Sequence, residues 1–150
     1  MLEATPLGHD YFKIAILLRE SLFLSSILTN SGIWYGLKKE EVQQLEDLDL
    51  ILLRKILKTP FSVPAEAVYL ELGIINIGTL IKARRCNYLH TLVKESESSM
   101  LYNFFMAQWN YPSTHDWTKQ VKTDLSDFDI PICFFHLLGK ERHTLQLQAG

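Results

Sequence analysis

Apolar positions recur at helical spacing along most of the chain. Ile14, Leu17, Leu18, Ser21, Leu22, Ser25 and Leu28 share one broad face of a first helix over Tyr11 to Leu28. Asn30, Ser31 and Gly32 end it, and Gly36 breaks the chain again. A second helix is predicted from about Lys38 to Lys58, with Val42, Leu45, Leu48, Leu52, Leu53 and Ile56 as its inward stripe. Glu40, Glu41, Glu46 and Asp47 lie toward its start and Arg54, Lys55 and Lys58 toward its end, an order that suits the helix dipole. Pro64 and Gly73 bracket a short third helix. A fourth runs from Gly78 or Thr79 to Lys94, with Leu80, Ile81, Tyr88, Leu89 and Leu92 inward. A fifth covers Met100 to Asn110. A sixth is expected from about Thr114 to Leu125, with Ser113 as its N-cap and Asp116 as the acid of a capping box. No strand alternation and no repeat is visible. The expectation is an all-α chain, an irregular bundle of five or six helices over residues 1–130, followed by a divergent, poorly ordered tail over 131–150.

Composition supports one globular domain's worth of core: 150 residues, 47% hydrophobic and 21% charged. The net charge of -2 argues against a strongly basic nucleic-acid binder, so any such contact needs a local basic face. Two cysteines, Cys86 and Cys133, lie far apart and fit a reducing, intracellular setting. No basic leader precedes the first apolar stretch. Lys13, Arg19 and Glu20 interrupt that stretch, which favours a buried helix over a membrane span.

Little of the chain carries recognisable chemistry. The glycines form no phosphate-binding loop, the five histidines show no metal-ligand spacing, and neighbouring acids such as Glu40-Glu41 sit where a helix start wants them. No catalytic residue, metal or cofactor is expected. The suggestive feature is basic: Lys82, Arg84 and Arg85 on the fourth helix, and Arg54, Lys55 and Lys58 near the end of the second. Such clusters can hold phosphates, and Trp34, Tyr35 and Trp117 could stack on bases. The competing reading is a solvated, dipole-complementing face with aromatics in the core.

Several short segments recur together in a known family. They are Leu7-Gly8-His9 before Tyr11-Phe12, Leu18-Arg19-Glu20-Ser21, the run Ser25 to Ser31, and Trp34-Tyr35. Leu53 to Leu57, Pro64 with Glu66, and Tyr69 to Gly73 follow. Ile81 to Arg85, Leu89-His90 and Asp116-Trp117 complete the order. In this the chain resembles the region after the catalytic palm in reverse transcriptases of LINE-type (non-LTR) retrotransposons, over roughly Thr5 to Ile130. Gly32 stands where that family usually has Glu, Lys38 where Thr is common, and Val63 where Thr often precedes the proline. The resemblance implies thumb-like helices that help hold primer and template. This chain has no Tyr/Phe-x-Asp-Asp run to bind catalytic magnesium. The expected function is therefore a fragment without polymerase activity, touching RNA or an RNA–DNA hybrid through Lys82, Arg84, Arg85, Arg54, Lys55 and Lys58. The alternative is a non-catalytic helical interaction module, with an apolar patch exposed where the palm, or another protein, would pack.

Overall fold

A computed structural model of the chain describes residues 7–111 and 116–131, with side chains from Asp10 onward. Residues 132–150 of the predicted tail and the predicted cap at Ser113 lie outside these residues. The described part is all-α, with no strand among its residues. Helix α1 (Leu7–Leu18) continues without a break through a π-helical segment (Arg19–Leu24) into α2 (Ser25–Ile27). A short 3-10 turn (Ser31–Ile33) precedes α3 (Lys39–Leu57), α4 (Ala65–Leu72), α5 (Ile77–Lys94), α6 (Met100–Asn110) and α7 (Trp117–Asp127). The helices form two compact units. The first holds residues up to Asn30 and Lys39–Gly78; the second holds Ser31–Lys38 and the chain from Thr79.

Local chemistry explains the helix ends. Gly73 takes the left-handed conformation (φ 63°) after α4. Its N–H donates to Leu70 O and that of Ile74 to Tyr69 O, a Schellman closure. Lys58 ends α3 in the same way at φ 54°, with its N–H directed to Lys55 O and that of Thr59 to Arg54 O. Ser99 caps α6, its hydroxyl accepting from Tyr102 N. At α7 the cap differs from expectation. Asp116 itself is the N-cap, accepting from Lys119 N at 2.9 Å, and the helix begins at Trp117. A carboxylate at that position meets both the orphan amides and the dipole.

In the first unit, Leu50, Leu53 and Ile56 of α3 and Val68 of α4 form the core, with Ala15 and Ile16 of α1 packed on it. In the second, Leu89 and Leu92 of α5, Phe105 and Trp109 of α6, and Val121 and Leu125 of α7 do so. On α3 the predicted stripe faces inward at Leu53 and Ile56, with Val42, Leu45 and Leu52 half-buried, but Leu48 is exposed while its neighbour Asp49 is buried. The predicted face of the first helix turns out rotated. On α1, Ile14, Leu17 and Leu18, with Leu22 of the π segment, point outward, and Arg19 is buried. This helix is apolar nearly all round, so periodicity leaves the inward side ambiguous.

Candidate functional site

The outward side of α1 is the largest anomaly of the first unit. Ile14 is 56% exposed, Leu17 61% and Leu22 63%, and Tyr11 and Leu18 are about equally open. Beside it lies a groove of about 680 Å³ lined by Phe12, Ile16, Leu17, Leu57 and Leu72, with Lys13 and Glu71 as its charged lining. The opposite side of this continuous helix carries Arg19, the first residue of the π segment, whose Nε and Nη2 donate to the two oxygens of Asp49 at 2.7 and 2.5 Å. Both partners are almost fully buried. Tyr69 lies in the same core. Burial holds its phenol well above the ordinary value, and the carboxylates of Asp49 and Glu46 add to the shift. Glu46 accepts from Gly78 N at 3.0 Å, placing a carboxylate at the start of α5.

The basic residues singled out in the sequence fall into different roles. On α5, Lys82 and Arg85 do share a face, and that face meets α7. Arg85 is buried; its Nε and Nη2 donate to Asp124 at 2.5 and 3.1 Å, and its Nη1 donates to the Trp34 carbonyl at 3.3 Å. Its guanidinium is thus a core element. Lys82 pairs with Asp127 at 2.5 Å, with both side chains partly exposed. Two bases three apart on α5 thereby meet two acids three apart on α7. Arg84 turns to Ser31 Oγ at 3.4 Å. In the first unit, Arg54 donates from Nη2 to Val63 O at 2.8 Å and stacks over Phe61, tying down the turn after α3. Lys55 and Lys58 are exposed.

The aromatic candidates are mostly structural. Trp117 donates from Nε1 to Gly32 O at 2.8 Å and packs edge-on against Tyr88 and Phe105. Tyr35 is exposed. Burial and Asp124 raise the Cys86 thiol pKa against the opposing pull of Arg85, which disfavours the reactive thiolate. Among the described residues no group of three His, Cys, Asp or Glu could hold a metal ion. No described helix is long and apolar enough to cross a membrane.

Sequence reasoning missed Asp49 and Asp124, the partners of the buried arginines. The available signal was a charge on an otherwise apolar seam: Asp49 precedes Leu53 and Ile56 by four and seven residues, and Asp124 lies between Val121 and Leu125.

Gly32 is legible only in three dimensions. A Cβ there would lie 3.2 Å from the Arg84 carbonyl oxygen and 3.2 Å from Tyr88 Cβ. Both atoms belong to the backbone or root of α5 and yield little. Gly32→Glu, which installs the residue usual in the resembling family, should therefore destabilise the second unit by about 1–3 kcal/mol. A urea midpoint read by tryptophan fluorescence checks this; a change under about 0.5 kcal/mol would mean that the turn relaxes freely.

No family profile, curated protein or solved structure matches the chain.

Proposed function

We propose that the chain is a non-catalytic helical segment of a LINE-type reverse transcriptase, and that it works by packing another polypeptide against the outer face of α1. The observation that carries this reading is the exposure of Ile14, Leu17, Leu18 and Leu22 on one helix while Arg19 is buried on the other side. Contiguous apolar surface of this kind is characteristic of interaction sites. The resemblance names the partner: a palm-containing polymerase polypeptide, supplied from outside this chain. Fluorescence anisotropy of the labelled chain against such a polypeptide tests it. Micromolar binding that Leu18→Glu weakens more than tenfold is the expected result. No binding, or binding indifferent to Leu18, defeats the reading.

A second reading, contact with RNA or an RNA–DNA hybrid, is favoured by Lys55 and Lys58, which stand exposed at the end of α3. In the second unit Lys82 is a separate candidate, because its half-exposed pair with Asp127 is of a kind worth at most about 1 kcal/mol and exchangeable for a phosphate. Arg85 and Arg54 then act as framework. Binding to a hybrid should be weak and salt-sensitive. Replacing Lys55 and Lys58 by Ala should flatten the log-affinity against log-salt slope by up to about two units. An unchanged slope would remove this reading.

A further inference from the structure

We propose that the outer face of α1 docks a second copy of this chain, in an antiparallel, two-fold arrangement. The inference rests on the docking reading above: the same apolar face pairs with itself, and a palm-containing polypeptide would compete with the second copy for it.

Charge is the first argument. Lys13 and Glu20 are both exposed and lie seven residues apart, so they sit on one flank of the stripe formed by Ile14, Leu17, Leu18 and Leu22. The midpoint between them falls beside Leu17. A two-fold axis there brings Leu17 of one copy onto Leu17 of the other. It also sets each Lys13 against the Glu20 of the partner copy, so two opposite-charge pairs form. A parallel two-fold pair would instead put the two Lys13–Glu20 flanks on opposite edges of the seam, where no Lys13–Glu20 pair forms. The stripe is thus self-complementary in the antiparallel sense, as an isologous interface requires.

Area is the second argument. The four stripe side chains together with Tyr11, each about half exposed, offer about 500 Å² per copy, or about 1,000 Å² across a pair. That is the low end for a specific interface, and it sets the expectation of a reversible dimer in the micromolar range rather than an obligate one. The neighbouring groove shares Leu17 with the stripe, so apolar surface continues to one side of the axis.

Sedimentation equilibrium of the full chain at low salt tests the proposal, from a few micromolar to several hundred micromolar. The wild type should show a monomer–dimer equilibrium. Leu17→Glu places two carboxylates on the axis and should weaken it more than tenfold with an unchanged circular dichroism spectrum. Lys13→Glu should weaken it about fivefold or more at low salt, and less at high salt. Adding Glu20→Lys to Lys13→Glu should restore the wild-type constant. A wild type that stays monomeric throughout overturns the proposal. So does a dimer that Leu17→Glu leaves intact, or one that Lys13→Glu strengthens. A monomer that still binds the palm-containing polypeptide through Leu18 removes the second copy and keeps the docking face; loss of both binding events removes both.

Discussion

Asp124→Ala should unfold the second unit under conditions where the wild type stays folded. Asp124 is fully buried and takes the bidentate fork of Arg85, itself 5% exposed. Removing one member of a buried pair leaves the other charged in a low-dielectric core. The typical penalty is about 3–5 kcal/mol, a large part of the 5–15 kcal/mol that stabilises most domains. Arg85→Ala should cost a similar amount. Lys82→Ala, three residues away on the same face, should change stability by no more than about 0.5–1 kcal/mol, because its pair with Asp127 is open to water. The three tryptophans, Trp34, Trp109 and Trp117, all belong to the second unit, so their fluorescence in urea reports this unit selectively. Equal, small effects at Arg85 and Lys82 would mean that Arg85 is a surface cation and would return it to the nucleic-acid reading.

Helix extents were legible because their signals are local. Pro64 and Gly73 mark ends by their own backbone chemistry, and each stands at a helix boundary in the structure; Ser99, which the sequence did not single out, caps α6. The end of α7 nearest the undescribed residues was misplaced because two cap formers, Ser113 and Asp116, compete within three positions; Asp116 holds the cap. Helix rotation was less legible. The face of α1 was assigned by apolar spacing, yet the deciding contact is Arg19 to Asp49, thirty residues away. The basic cluster on α5 was visible as a cluster, but the difference between Arg85 and Lys82 lies in Asp124 and Asp127, 39 and 45 residues away, which no pattern local to α5 announces.

The Arg19–Asp49 pair is the contact expected to fix the rotation of α1, which leaves Ile14, Leu17, Leu18 and Leu22 outside. A helix that is apolar on both sides could bury either one, and hydrophobic burial alone would choose the side with Ile14, Leu17, Leu18 and Leu22. A charged side chain enters the core only beside its partner, so Asp49 on α3 selects the rotation that brings Arg19 in. Asp49→Ala should cost about 3–5 kcal/mol, for the reason given for Asp124. The more informative variant replaces both members, Arg19→Leu with Asp49→Leu. Apolar replacement of a buried pair is often neutral or stabilising, so this variant should regain most of the lost stability. It should also lose the observed rotation of α1, because apolar burial then favours the side with Ile14, Leu17, Leu18 and Leu22. A cysteine placed at Leu17 reports the outcome directly. In the wild-type background its thiol should react rapidly with a water-soluble reagent; in the double-leucine background, protection of that thiol would mean that the helix has rolled. If the double variant keeps position 17 as open as before, the rotation is set by shape complementarity of Ala15 and Ile16 against the α3–α4 core, and the ion pair only follows it.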